Sequence, residues 1–279
     1  MRQTIARTAE LGGVGLHTGC AVQLRLVPAA AGQGIVFRRT DRPVVETMPA
    51  TLDQVTGSER RTVLGSGPAG VATVEHLLAA VVAAEIDDLT VEVDGPELPI
   101  CDGSFAPFVA LLQEAGRAAH HRSRRSLLLD RAFEVSDGES RYRVEPAARL
   151  RLKVTLEHSE PVIGRQSAEL TVTAAAFALY CAGARTYGFE AEVAPLRARG
   201  LLAGATLDSA ILCSATAVVN TTLRWPNEFA RHKLGDLLGD LALLGVRPRV
   251  RITAERPSHR GNLTCMRSLA RAGRIEEDG

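Results

Sequence analysis

In both halves of this chain, short runs of alternating apolar and polar residues precede longer apolar runs of helical length. A period of two residues is typical of a strand with one buried face, and the longer apolar runs indicate helices. The predicted strands lie at 21–28, 34–39, 88–95, 127–135, 141–146, 149–157, 210–214 and 248–254. The predicted helices lie at 73–84, about 106–118, about 173–183, 227–244 and from about 261. Strands grouped ahead of helices predict an α+β fold rather than a doubly wound parallel sheet.

The segment 116–126, GRAAHHRSRRS, is polar and basic and separates the two patterned halves. We predict that it is a linker, and the alternative is a phosphate-binding or membrane-surface patch. At about 100–200 residues per domain, 279 residues suffice for one large domain or two modest ones. We therefore predict an N-terminal domain at 1–122 and a C-terminal domain at 123–279.

Charge and composition exclude several classes of protein. The chain has 33 basic and 32 acidic residues, a net charge of +1, and 46% apolar against 23% charged residues. These proportions are ordinary for a globular protein, so disorder throughout the chain is excluded. The small net charge argues against nucleic acid as a partner, because nucleic-acid-binding proteins usually have a basic excess. Only Lys153 and Lys233 are lysines, so a lysine in this arginine-rich chain marks a position of interest.

The sequence contains no run that predicts a membrane span. No uncharged stretch is longer than the fifteen residues of 170–184, fewer than the roughly 20 that a spanning helix needs. The N-terminal residues MRQTIARTAELGG lack the apolar core of a signal peptide. The cysteines are scattered and form no C-x-x-C pair, which favours neither a disulfide framework nor a thiolate zinc site. We therefore expect a cytoplasmic protein without stable membrane insertion.

The most informative segment is NEFARHKLGDLLGD at 227–240. On a helix, residues four apart share a face, so His232, Asp236 and Asp240 form one polar stripe opposite an apolar one. An imidazole nitrogen and a carboxylate oxygen at this spacing can bind one zinc ion at about 2.0–2.2 Å. The alternative interpretation of such a pair is an ordinary contact on a helix surface.

Two further segments contain groups suited to hydrolysis. Glu75 and His76 follow Thr73, the predicted N-cap, in the first turn of an apolar helix. His259 lies in a predicted loop that enters the last helix, where its near-neutral pKa suits a general acid. Together with the helix at 227–240, these residues could supply two histidines and a carboxylate for zinc, a glutamate base and a histidine acid. The H-E-x-x-H motif of zinc proteases is absent.

Six strings occur in one order along the chain: GVGLHTG (13–19), TVEHLLAA (73–80), PELPICDGSFAPFV (96–109), ARTYGF (184–189), RGLLAGATLDSAI (199–211) and EFARHKLGDLLGD (228–240). With His259, they closely resemble the UDP-3-O-acyl-N-acetylglucosamine deacetylase family, zinc enzymes of lipid A biosynthesis in Gram-negative bacteria. The resemblance extends from about residue 3 to residue 272. The sequence departs from the family pattern at Trp225–Asn227 and at Pro257–Ser258.

The resemblance implies a role for each group at the site. The metal ligands would be His76, His232 and Asp236. The catalytic set would be Glu75 as general base, His259 as general acid, Asp240 as the carboxylate that orients His259, Thr186 at the oxyanion and Lys233 at the substrate. The ion would be one Zn²⁺ per chain, and Fe²⁺ accepts the same ligands.

The resemblance also implies the architecture and the substrate contacts. The fold would be α+β with two domains, each a β-sheet with two α-helices, packed helix face to helix face in a β-α-α-β sandwich. An insert near 189–210, otherwise predicted to be irregular over 185–209, would form an apolar passage for an acyl chain. Its substrate contacts would be Leu16, Val193 and Leu202 in the passage, Tyr187 beside the site, and His17 and Arg256 near the uridine diphosphate.

The implied reaction is hydrolysis of the acetamide of UDP-3-O-(3-hydroxyacyl)-N-acetylglucosamine by a monomer, with release of acetate. Two alternatives remain open on the sequence. The protein could be a diverged paralogue that deacetylates another nucleotide sugar. It could also be a non-catalytic binding protein that uses the same scaffold.

Overall fold

The computed structural model describes residues 1–44 and 46–278. The first half contains β1 (Gln3–Ile5), β2 (Ala9–Val14), β3 (Ala21–Pro28), β4 (Ile35–Arg39), β5 (Thr47–Pro49), β6 (Val55–Gly57), β7 (Val63–Leu64), β8 (Val71–Ala72), α1 (Glu75–Ala83), β9 (Leu89–Val93), α2 (Ala106–Ala115) and β10 (Arg117–Ala119). The second half contains β11 (Arg125–Leu128), β12 (Phe133–Asp137), β13 (Ser140–Pro146), β14 (Arg151–Glu157), β15 (Arg165–Thr171), α3 (Ala174–Tyr180), β16 (Tyr187–Phe189), α4 (Glu190–Ala198), β17 (Ile211–Cys213), α5 (Glu228–Leu241), β18 (Arg247–Glu255), α6 (His259–Ala272) and β19 (Arg274–Glu277).

Each half is built on one larger sheet. In the first half the strand order is β2-β3-β9-β4-β5, in which only β4 and β9 pair in parallel. In the second half β18 is central, antiparallel to β13 and parallel to β14 and β11. Strand β3 alternates exposed and buried residues along its length, as expected when one sheet face packs on a core.

The two sheets sandwich a layer of helices in which α1 packs along α5. Ala79 and Ala83 of α1 belong to the same buried cluster as the leucines of α5, while Leu243, just beyond α5, belongs to the cluster of the first half. Gly235 and Gly239 allow this contact, because a Cβ at Gly235 would collide with the Phe105 ring and one at Gly239 with the carbonyl oxygen of Glu75. The small residues therefore set the spacing of the helix layer.

The predicted α+β class is confirmed. Besides α5 and α6, the second half has two further helices, α3 and α4, and α4 occupies part of the stretch predicted to be irregular over 185–209. That prediction was wrong because exposed polar residues in α4 hide its periodicity. Among the described residues, no helix is both long and apolar enough to cross a membrane.

The predicted linker at 116–126 includes residues of two strands, while 120–124 belong to no helix or strand. Residues 117–119 form β10, which pairs antiparallel with β1, and the amide of Arg2 donates to the carbonyl of Arg122 at 2.8 Å. A polar sequence can form a strand because the pairing uses backbone groups. The strand predicted at 127–135 is wrong, since β11 and β12 are separate strands on either side of a bend.

The N-terminal ends of two helices differ from prediction. Thr73 is not the N-cap of α1; Val74 occupies that position, and the Thr73 hydroxyl donates to the buried Glu97 carboxylate at 2.7 Å. The last helix begins at His259, so His259 is a helix residue rather than a loop residue. The hydroxyl of Ser258 caps it by accepting from the amide of Gly261 at 3.1 Å.

We predict that Gly239→Ala destabilises the protein. Alanine is the better helix former by about 1 kcal/mol, but its methyl group would collide with a backbone carbonyl that cannot rotate away. The free energy of unfolding in urea should fall by about 1–3 kcal/mol. The matched control is Gly188→Ala, where a Cβ meets nothing within 4 Å. That variant should change stability by no more than about 1 kcal/mol, and equal effects at both positions would contradict the packing argument.

Candidate metal centre and active site

Three side chains from two helices converge on one point in the helix layer. His76 comes from the first turn of α1, and His232 and Asp236 come from successive turns of α5. The Nε2 atoms of His76 and His232 lie 3.7 and 3.4 Å from Oδ1 of Asp236. Each of the three residues is at most 4% exposed, and their ligand atoms all lie within 4.8 Å of one another.

This donor set fits a divalent cation. Oδ1 of Asp236 is buried and has no hydrogen-bond partner in the described part of the chain, which is costly unless a cation or water meets it. Nδ1 of His232 lies 3.0 Å from the carbonyl oxygen of Ala184, which leaves Nε2 to face the centre. Two imidazole nitrogens and one carboxylate oxygen are a ligand set that catalytic zinc sites use, with a further position open.

The local charges favour the protonation states that bind a metal. Burial, followed by the neighbouring His232, lowers the pKa of His76 to about 3. Burial also lowers the pKa of His232. For Asp236, burial opposes ionisation, but His232 and Lys233 outweigh it and hold the carboxyl pKa well below its usual range. Neutral imidazoles and an ionised carboxylate are therefore the stable forms, as metal binding requires.

Phe105 holds both imidazole rings in place. Its ring is fully buried and lies 4.9 Å from the ring of His76, edge to face, and 5.1 Å from the ring of His232. Phe105 just precedes α2, directly after the turn at Cys101–Ser104. The string PELPICDGSFAPFV thus contributes an aromatic wall to the centre, which the sequence did not predict.

Glu75 lies beside the metal ligands and is also buried. Its Oε2 accepts a hydrogen bond from the amide of Thr62 at 3.0 Å. Burial raises the pKa of Glu75 to about 7, with His259 opposing that shift. A carboxylate with a pKa near neutrality is suited to accept a proton and to release it again.

His259 faces the centre from the start of α6. Its Nδ1 lies 2.9 Å from Oδ2 of Asp240, and its Nε2 lies 3.8 Å from Oδ2 of Asp236. Burial acts to lower the pKa of His259, but the Asp240 carboxylate outweighs it and the pKa is raised to about 9. The imidazolium therefore keeps one N–H on Asp240 and turns the other toward the metal centre.

Asp240 is held by two residues for which the sequence predicted no role. The Thr62 hydroxyl donates to Oδ1 of Asp240 at 2.6 Å, and the side-chain amide of Asn262 donates to Oδ2 at 2.8 Å. Thr62 thus touches both Glu75 and the carboxylate that holds His259. Asn262 follows His259 by three residues on α6, a spacing that could have signalled it. For Thr62 the single sequence gives no signal.

A buried ion pair fixes the backbone next to His232. Nε of Arg185 donates to Oε1 of Glu228 at 2.8 Å, and Arg185 also bonds the Thr221 hydroxyl and the carbonyl of Thr222. Arg185 lies between Ala184, whose carbonyl faces His232, and Thr186. Arg185 belongs to the string ARTYGF, and the sequence predicted no role for it.

The remaining predicted catalytic residues lie close to the centre. Nζ of Lys233 donates to Oδ2 of Asp236 at 2.7 Å, and Asp236 outweighs burial and raises the Lys233 pKa. The backbone of Thr186 is held between the carbonyl of Gly103 and the amide of Ile211, each at 2.8 Å. The Tyr187 ring packs edge to face on Phe229 at 4.8 Å, with its hydroxyl 3.4 Å from Nε2 of His158.

The predicted passage residues lie where the insert meets the first half. The carbonyls of Leu16 and His17 accept hydrogen bonds from the amides of Gly204 and Ala203, both at 3.1 Å. Leu202 precedes these residues, and Val193 lies half-buried on α4. Burial, followed by Arg61, lowers the pKa of His17 to about 4, so its imidazole is neutral.

Arg256 pairs with residues away from the metal centre. Its guanidinium lies 4.0 Å from the exposed Glu139 carboxylate, and its carbonyl accepts from the Ser140 hydroxyl at 2.7 Å. No hydrogen bond or ion pair of the described residues joins it to the metal centre.

Comparison with known proteins agrees with this geometry. A family model described as UDP-3-O-acyl N-acetylglycosamine deacetylase matches residues 2–271. A UDP-3-O-acyl-N-acetylglucosamine deacetylase of Anaeromyxobacter sp. (strain Fw109-5) is 40% identical over 269 residues, 96% of this chain and 88% of the relative. The protein of the same name from Myxococcus xanthus (strain DK1622) is 41% identical over 96% of this chain and 86% of the relative. That from Thermosynechococcus vestitus (strain NIES-2133 / IAM M-273 / BP-1) is 40% identical over 96% of this chain and 94% of the relative.

We predict that His76→Ala and His232→Ala abolish stoichiometric metal binding. Each change removes one of three protein ligands, so the purified variants should contain well below one divalent ion per chain by plasma mass spectrometry. Circular dichroism would establish that they remain folded. The control is His121→Ala, an exposed histidine outside the cluster, which should keep the ion. A metal content equal to wild type in both ligand variants would contradict the assignment.

Proposed function

Because this chain belongs to the UDP-3-O-acyl-N-acetylglucosamine deacetylase family, we propose that its buried centre hydrolyses the acetamide of such a nucleotide sugar, the committed step of lipid A biosynthesis. The products are acetate and a free 2-amino sugar. The observation that supports this most directly is a metal-binding triad with a carboxylate base and an imidazolium acid beside it. A module that only binds ligand needs no such acid–base pair.

The ion we propose is Zn²⁺, held by His76, His232 and Asp236. When bound, Zn²⁺ acts as a Lewis acid that lowers the pKa of a coordinated water to about 7 and polarises a carbonyl oxygen. The nitrogen and oxygen donors and the unpartnered Oδ1 of Asp236 support this choice. Fe²⁺ accepts the same ligands, so metal analysis decides between the two.

Glu75 accepts the proton from the attacking water. Its carboxylate is positioned by a hydrogen bond from the amide of Thr62 at 3.0 Å. The adjacent His76 lies on the same helical turn, so the base and a metal ligand are held at a fixed separation by α1.

His259 gives its proton to the departing nitrogen from Nε2. Asp240 holds Nδ1–H, and Thr62 and Asn262 in turn hold Asp240, so the ring stays oriented through the reaction. Proton donation at this point completes cleavage, because an amine leaves readily only when it is protonated. The tetrahedral oxyanion is stabilised by the Thr186 hydroxyl, and Lys233 contacts the substrate.

Substrate binding divides between two parts of the surface. Leu16, Val193 and Leu202 line the path of the acyl chain, which is supported by the hydrogen bonds between the insert and residues 16–17. Tyr187 lies beside the reacting group. His17 and Arg256 bind near the uridine diphosphate, and for Arg256 this requires its side chain to leave Glu139.

The wider organisation is part of the same proposal. Domains at 1–122 and 123–279 are supported by two separate buried clusters that meet at α1 and α5. A monomer suffices, because one chain supplies the ligands, the base and the acid. All five cysteines are free thiols, which fits the reducing conditions of the cytoplasm.

We predict that Glu75→Gln and His259→Gln lower turnover by about 100- to 10,000-fold while the ion stays bound. Each change keeps the shape of the side chain approximately but removes its ability to transfer a proton. Acetate release and metal content are measured on the same samples. Glu114→Gln and His121→Gln, both at exposed positions, are the controls and should retain wild-type turnover. Full activity in either site variant would exclude the proposed role of that residue.

The substrate is tested by comparing acylated and unacylated UDP-N-acetylglucosamine. We expect acetate release from the acylated sugar with a much higher kcat/KM, because the acyl chain contributes apolar burial that the truncated sugar lacks. Equal kcat/KM for both would indicate a deacetylase of another nucleotide sugar. Binding of the acylated sugar with no acetate release from either compound would indicate a binding protein.

A further inference from the structure

A cavity of about 510 Å³ lies at the end of the helix layer away from the metal centre. Its walls come from Val82–Asp87 at the end of α1, from Arg124–Ser126, and from the segment after α5. Val82 is six residues beyond His76 on α1, or about 9 Å at 1.5 Å per residue. None of the residues assigned to the metal centre or to substrate binding lines this cavity.

Positive charge predominates at the cavity wall. Six guanidinium groups and three carboxylates line it: Arg2, Arg124, Arg125, Arg149, Arg247 and Arg249 against Glu85, Asp87 and Asp278. Arg2 is already paired with the buried Asp88, at 2.8 and 2.6 Å, so five other guanidinium groups face the three carboxylates, a local excess of two in a chain whose net charge is +1.

The carboxylates are already satisfied by part of this set. Asp87 accepts from Nε of Arg247 at 2.9 Å, from Nε of Arg124 at 3.1 Å and from the amide of Gln3 at 2.8 Å. Asp278 accepts from Arg249 and Ser126 at 2.7 and 2.6 Å. The third carboxylate, Glu85, lies 3.2 Å from Arg247 and 3.7 Å from Arg117.

Several guanidinium donors at the cavity wall have no acceptor among the described residues. Nη2 of Arg247 is buried and has no hydrogen-bond partner among residues 1–44 and 46–278. Arg125 and Arg149 are exposed. Neither side chain forms an ion pair or a hydrogen bond with another of the described residues. A buried donor without an acceptor costs desolvation free energy, which an anion would recover.

The rest of the wall is apolar and comes from both halves of the molecule. Ile35, Val82 and Ile86 belong to the first half, and Leu150, Val172 and Leu241 belong to the second. The volume lies within the range of about 300–1,000 Å³ that is usual for small-molecule sites. Inorganic ions alone would leave this apolar surface uncovered.

We propose that this cavity is a second ligand site, which binds an organic anion with a phosphate or carboxylate head and a short apolar body. The head binds at Arg125, Arg149 and Nη2 of Arg247, and the body packs on the apolar wall. Because both halves line the cavity, an occupant stabilises the interface between them. The site does not depend on the deacetylase assignment.

The test is calorimetric titration of the metal-loaded protein with n-octyl phosphate, sodium octanoate, inorganic phosphate and 1-octanol. We expect n-octyl phosphate or octanoate to bind and to raise Tm, with the tighter of the two identifying the head group. Inorganic phosphate should bind at least about tenfold more weakly, and 1-octanol should not bind.

The variants locate the binding. Arg125→Gln/Arg149→Gln changes two exposed side chains without ion pairs, so it should fold normally and weaken binding by about tenfold or more. Arg247→Gln should weaken it further, and Arg267→Gln on α6 is the control that should leave it unchanged. Failure of both amphiphiles to bind would overturn the proposal. Unchanged affinity in the double variant would also overturn it. Competitive displacement of the amphiphile by an acylated substrate would overturn it as well, because the amphiphile would then lie in the active site.

Discussion

The close packing of α1 on α5 determines where the three side chains that could hold a metal ion lie. His76 is on one helix and His232 and Asp236 are on the other, so the triad exists only at a particular separation of the two helix axes. That separation is set by Gly239, which meets the backbone of Glu75, while Gly235 leaves room for the Phe105 ring against α5. The two glycines thus position Glu75, His76 and the aromatic wall of the centre.

This packing requires several charged groups to be buried together. Glu75, Asp236, Asp240 and His259 are each at most 5% exposed. An uncompensated charge at such a site is strongly destabilising, so each group has a partner of opposite charge or a hydrogen bond. Lys233 lies on Asp236, and His259 lies on Asp240. The pairing leaves Oδ1 of Asp236 free for a cation and Nε2 of His259 free to donate a proton.

The need of polar groups for hydrogen-bond partners explains two errors of sequence-based prediction. Thr73 is a residue type that favours the N-cap position, but its hydroxyl donates instead to the buried Glu97 carboxylate, which needs hydrogen-bond donors. Residues 117–119 have the composition of a linker, but their backbone groups complete a strand pair with β1. In both cases a partner more than 20 residues away decides the local structure, and no local pattern contains that information.

The sequence by itself determined the α+β class, the helix that bears His232 and Asp236, and the residue types of a hydrolytic metal site. Periodicity fixes which side chains share a helix face, because 3.6 residues per turn is a property of the backbone. Only the tertiary structure decided the distances at which His76 and His259 meet that face, the contacts of Thr62 with Glu75 and Asp240, and the separate cavity lined by arginines. These relations join residues 13 to 197 positions apart, and their geometry depends on how sheets and helices pack.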